Sequence, residues 1–93
     1  MAPEVIKGKE YTEKADVFSF GIILWEIATR QPPYRNLTAV QVGLQVAHNK
    51  LRPKIPKNIP SNFSFLMQRC WDTDPDMRPS FKQCVREIKK WKF

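Results

Sequence analysis

Ninety-three residues with 42% hydrophobic and 12% aromatic content suffice for one small globular unit or part of one, since a chain of this size buries only roughly 60–70% of its unfolded surface. That content excludes a disordered tail, and the formal charge of +7, from 16 basic and 9 acidic residues, favours encounter with acidic surfaces without specifying a function. The longest apolar stretch, VFSFGIILWEIA, is broken by Ser19 and Glu26 and is shorter than the roughly 18 residues a membrane span requires, and no signal-peptide pattern opens the chain.

The chain reads as four helical patterns separated by proline-rich turns. The first is predicted from Lys14 to Thr29 and stops before QPPY, where two prolines forbid continuation. A second begins at Thr38, which forms a capping-box pattern with Gln41, and ends near Asn49. LRPKIPKNIP, with three prolines in ten residues, is an extended connection, because proline and its predecessor both resist helical geometry. The third helix is predicted over Ser61 to Trp71, with Phe63, Leu66, Met67, Cys70 and Trp71 on one face. The fourth starts at Ser80, again with a capping partner at Gln83. It sets Phe81, Cys84, Val85, Ile88 and Trp91 on one side and Lys82, Arg86, Glu87, Lys89, Lys90 and Lys92 on the other. The expected fold class is therefore all-α.

Cys70 and Cys84 lack metal-ligand spacing and are too few for a secreted disulfide framework. They read as small buried hydrophobes in a protein of a reducing compartment, which makes a cytoplasmic location the expectation. The first helix is more demanding. Val17, Phe18, Phe20, Ile22, Ile23, Leu24, Trp25, Ile27 and Ala28 leave it almost no polar face, and a helix apolar all round is expected to be buried all round. Three short amphipathic helices cannot cover it fully, so it calls for neighbours outside these residues. Gly21, which costs about 1 kcal/mol relative to alanine inside a helix, suits a close approach by another backbone.

APE at Ala2 to Glu4, DVFSFGIILWEI from Asp16, PPY from Pro32, LRPKIP from Leu51 and CWDTDPDMRPSF from Cys70 together resemble the C-terminal lobe of a eukaryotic protein kinase, in that order and at fitting separations. The resemblance spans all 93 residues. It implies that residues 1–93 are a partial kinase domain running from the A-P-E element to the last helix. By residue type alone Glu4 and Arg78 are two separate surface charges; the resemblance makes them a buried ion pair, for which the planar guanidinium is suited. Asp16, by position an acid stabilising the first turn of a helix, acquires from the resemblance a second role as the anchor of the catalytic loop. Met1 has two readings, an initiator methionine or, by the resemblance, a wall of the pocket for the substrate side chain after the phosphoacceptor.

Phosphoryl transfer by a kinase needs a glycine-rich loop, a strand lysine paired with a helix glutamate, an H-R-D loop and D-F-G, and none occurs in these residues. Gly8, Gly21 and Gly43 form no phosphate loop, and His48 has neither nucleophile nor partner acid nearby. No catalytic, cofactor-binding or metal-ligating residue is therefore expected here; ATP and Mg2+ are implied for the complete domain. The parent is expected to transfer the ATP gamma-phosphoryl group to protein hydroxyls, with this segment as scaffold and part of the peptide-substrate wall. MAPEV, TRQPPY and LRPKIP look most like the tyrosine-kinase-like group, whose members mostly phosphorylate serine or threonine. The implied partners are the remainder of the kinase domain and a protein substrate. A noncatalytic kinase-derived interaction module is the alternative. Nucleic acid is disfavoured, because the basic residues are spread over four segments and no helix-turn-helix or zinc pattern focuses them.

Overall fold

Side-chain caps define where the chain turns helical. In the computed structural model, which describes residues 1–91, helix α2 (Glu13–Thr29) begins after Thr12, whose hydroxyl accepts from the Lys14 amide at 3.2 Å. Helices α3 (Ala39–Asn49) and α5 (Phe81–Lys89) start with full capping boxes, Thr38 with Gln41 and Ser80 with Gln83. Helix α4 (Ser61–Cys70) follows Pro60. The observed bounds lie within about two residues of those predicted, apart from the end of the last helix. Trp71 caps α4 instead of continuing it, and Trp91 lies beyond the end of α5, stacking on Phe63 with ring centroids 4.6 Å apart. No strand occurs among the described residues. Two short elements were not predicted: α1 (Pro3–Ile6), one turn started by Pro3, and a 3-10 turn at Pro75–Met77. Helices α2 and α3 end on left-handed residues, Arg30 at φ 55° and Lys50 at φ 57°, where glycine is the usual occupant.

Helix α2 is the centre of the fold, and α4 is its main neighbour. Phe18, Val17, Leu24 and Trp25 of α2 are buried with Leu66, Met67, Cys70 and Trp71 of the α4 region. The two helices approach closely at Gly21. A Cβ there would lie 2.7 Å from the Cys70 Cβ and 3.1 Å from the Met67 carbonyl oxygen, so hydrogen is the only side chain the contact admits without movement. Trp25 Nε1 donates to the Lys54 carbonyl at 2.8 Å and ties the proline-rich connection to the same helix. The short α1 packs against α3.

Cover for α2 is incomplete, as its composition implies: Ile23 is 50% and Ile27 63% exposed. The predicted apolar side of the last helix needs correction. Only Cys84 of α5 is buried, with Ile88 and Trp91 half-buried, while Phe81 and Val85 stand at 38% and 50% exposure. The helix rests on the core along one edge, and among the described residues no layer lies outside it to receive the rest of its apolar stripe. Phe81 retains an edge-on contact with Phe20, centroids 5.8 Å apart.

Candidate functional site

The loop CWDTDPDMRPSF folds around its own acids. The Asp72 carboxylate accepts from the Asp74 amide at 2.9 Å, and the Asp74 carboxylate accepts from the Asp76 amide at 3.0 Å, capping the 3-10 turn that Pro75 starts. Pro79 then holds Arg78 extended, at φ −75° and ψ 143°. The arginine side chain is directed inward from this stiff frame and is 2% exposed.

Its guanidinium is almost fully paired. Nη1 and Nη2 donate to the two oxygens of Glu4 at 2.7 and 2.8 Å, a bidentate pair between residues 74 apart. Nε donates to the Asp72 carbonyl at 2.8 Å, and Nη1 donates also to the Lys14 carbonyl at 2.9 Å. Lys14 reciprocates, its ammonium donating to the Arg78 carbonyl. One arginine thus joins α1, the start of α2 and the loop before α5. Burial pushes the Glu4 carboxyl up, but the Arg78 hydrogen bonds, its own backbone amide and the charges of Arg78 and Arg52 outweigh that, leaving it below the ordinary carboxylate value.

Phe18 lies under two cations. The guanidinium carbons of Arg78 and Arg52 sit 5.0 and 4.8 Å from its ring centroid, within the range of a cation–π contact. Arg52 is held in place by Nε to the Trp71 carbonyl and Nη1 to the Leu51 carbonyl, each at 2.8 Å, and by Nη2 to the Thr73 hydroxyl at 3.2 Å. Burial lowers its pKa, yet a guanidinium remains charged in proteins.

Phe18 also borders a largely apolar groove of about 440 Å³, lined with Ile6, Ile22, Tyr34, Leu37, Val42 and Val46 and bounded by Met1, which is 76% exposed. Tyr34 enters it from a left-handed backbone, φ 57°, with its hydroxyl buried and without a hydrogen-bond partner. Burial pushes that hydroxyl's pKa up to about 12, against the opposing charge of Arg52. Asp16 is placed elsewhere, exposed in the first turn of α2, where it accepts a hydrogen bond from the Tyr11 hydroxyl. His48 is exposed near the end of α3.

The structure thus brings Glu4 and Arg78 together, sets Met1 at the groove rim and leaves Asp16 on the surface. Sequence reasoning did not single out Lys14, Arg52, Tyr11 or Tyr34. Only LRPKIP and PPY, the blocks containing Arg52 and Tyr34, carried a signal for two of them. Among the described residues, no three His, Cys, Asp or Glu side chains converge. No helix among them is long and apolar enough to cross a membrane.

The profile of the family described as protein tyrosine and serine/threonine kinase matches residues 1–88. The chain is 47% identical over 87 residues to a probable serine/threonine-protein kinase, drkC, of Dictyostelium discoideum, covering 94% of this chain and 12% of that protein. It is 43% identical over 91 residues to the serine/threonine/tyrosine-protein kinase HT1 of Arabidopsis thaliana, covering 98% of this chain and 23% of that one. It is 47% identical over 87 residues to mitogen-activated protein kinase kinase kinase 7 of Homo sapiens, covering 92% of this chain and 14% of that protein. The chain spans less than a quarter of the length of each.

Proposed function

Because the chain belongs to the protein tyrosine and serine/threonine kinase family, we propose that residues 1–93 are the helical base of a catalytic domain that phosphorylates serine or threonine hydroxyls of proteins. The observation that carries this reading is the buried bidentate contact between Glu4 and Arg78, with its reciprocal Lys14 bonds. It fixes α1, which starts two residues after Met1, to the body of the fold. A segment entering at Met1 would therefore start from a rigid point, as a peptide-binding surface must.

In this reading Met1 and the adjoining groove form part of the substrate wall, and the tyrosine-kinase-like group supplies the nearest analogy. Asp16 anchors the catalytic loop. Its exposure supports that role, since an acid meant to receive backbone N–H groups from a neighbouring segment must be presented outward. ATP and Mg2+ would bind in the remainder of the domain, and these residues hold and orient without reacting.

The test is phosphate transfer from labelled ATP to serine, threonine and tyrosine peptides by the full-length protein, beside residues 1–93 alone. Transfer to serine or threonine by the full-length protein only is expected. Transfer confined to tyrosine would overturn the substrate assignment. No transfer at all, with an intact fold, would favour an interaction module.

A further inference from the structure

Cys70 at the end of α4 and Cys84 in α5 are 14 residues apart in sequence, and their sulfurs are 3.9 Å apart, in contact across the helix boundary. Both are fully buried free thiols, 0% and 1% exposed. The segment between them carries the 3-10 turn and Arg78. From this juxtaposition we infer that Cys70 and Cys84 are an oxidation site: a peroxide converts them to an internal disulfide that closes a covalent loop around Arg78.

The sulfurs must approach from 3.9 Å to about 2.05 Å. Cys70 cannot supply the movement by shifting its helix toward α2, because its own Cβ and the Met67 carbonyl already lie against Gly21. Helix α5 is the lighter partner to move. Cys84 is its only buried residue, and Phe81 and Val85 are exposed, so rotation of the Cys84 side chain and a small slide of α5 toward α4 disturb chiefly the edge-on Phe81–Phe20 contact and the half-buried Ile88.

The chemistry balances with one peroxide. A thiolate at one cysteine attacks a peroxide oxygen, the O–O bond breaks, and a sulfenic acid forms as hydroxide leaves, taking up the proton the thiol released as a first water. The second thiol, deprotonated, attacks that sulfur; the S–S bond forms and hydroxide leaves, taking up the proton as a second water. Two thiols and one hydrogen peroxide thus become one disulfide and two waters. Burial raises the pKa of both thiols, so in the closed fold the pair stays reduced and reacts only when α5 opens. A surface thiol of ordinary acidity would react first, which sets this site apart from a fast sensor.

The experiment treats the full-length protein with hydrogen peroxide, alkylates remaining thiols in denaturant and maps the peptides by mass spectrometry. The expected product joins the Cys70 and Cys84 peptides with loss of two hydrogens. Dithiothreitol should reverse it, and the oxidised form should melt at higher temperature than the reduced one, because the closed loop restricts the unfolded chain. Complete alkylation of both cysteines, after peroxide treatment in urea just below the unfolding transition where α5 opens, would overturn the inference. So would sulfinic acid on either sulfur without the bridge, or links between molecules in its place. Cys84→Ser should abolish the product; if that variant does not fold, the wild-type peptide map still decides.

Discussion

Removing either member of the Glu4–Arg78 pair should damage the fold unequally, and the structure gives the order. Glu4→Ala strands a guanidinium that still donates to the Asp72 and Lys14 carbonyls at 2.8 and 2.9 Å. Its cost should lie at the low end of the range for breaking a buried pair, about 3 kcal/mol. Arg78→Ala strands a carboxylate that is 9% exposed and removes the guanidinium bonds to both carbonyls, so its cost should reach the high end, about 5 kcal/mol. The double variant should cost little more than Arg78→Ala alone, because Glu4 has nothing left to pair with. The coupling is then about 3 kcal/mol, the upper end for residues in direct contact. Arg78→Lys keeps the charge and loses the fork, and about half of the alanine loss should remain. Urea denaturation of the full-length protein, with the slope unchanged among variants, reads all four values. Additivity within about 0.5 kcal/mol, or a Glu4→Ala cost below about 1 kcal/mol as for an exposed pair, would refute the reasoning.

Gly21→Ala should destabilise although alanine is the better helix former by about 1 kcal/mol, because the added methyl meets the Cys70 Cβ at 2.7 Å and overpacking costs about 1–3 kcal/mol. A net loss of about 1 kcal/mol in the same denaturation assay is expected, and a stabilised variant would contradict the close crossing. The Glu4 carboxyl is held below its ordinary pKa, so its contribution should be complete above about pH 4.3 and fade as the pH falls through the depressed folded value. Wild type should accordingly lose stability on acidification more steeply than Glu4→Gln, measured by melting temperature from pH 7 downward. If the proposed function holds, Asp16→Asn should lower kcat of the full-length protein at least about tenfold, the loss of one interaction worth roughly 1.4 kcal/mol in the transition state, while shifting stability by no more than the helix-terminus effect of about 1 kcal/mol. An unchanged kcat would remove Asp16 from the catalytic-loop role.

What the sequence determined by itself is what depends on groups within about one helical turn of each other. Thr38 with Gln41 and Ser80 with Gln83 lie three residues apart, and each pair closes its capping box as the pattern predicts. The proline-rich connection is likewise legible, because proline acts on its own φ and on its neighbour's conformation. The one-turn α1 escaped, since four residues carry too little periodicity to register. The family pattern, not any local property of either residue, paired Glu4 with Arg78.

Tertiary structure decided the rest. That Asp72 and Asp74 serve their own loop while the distant Glu4 meets the arginine depends on how α1 is carried past the end of α4, which no local energy encodes. Phe18 receives two guanidiniums only because Arg52 of the proline-rich connection and Arg78 of the loop before α5 both reach α2, and Cys70 meets Cys84 only because the end of α4 is brought against α5. Phe81 and Val85 belong to the apolar stripe by periodicity and stand exposed in the fold. Periodicity tells which residues share a face; burial requires a neighbour, and only the packed chain supplies one.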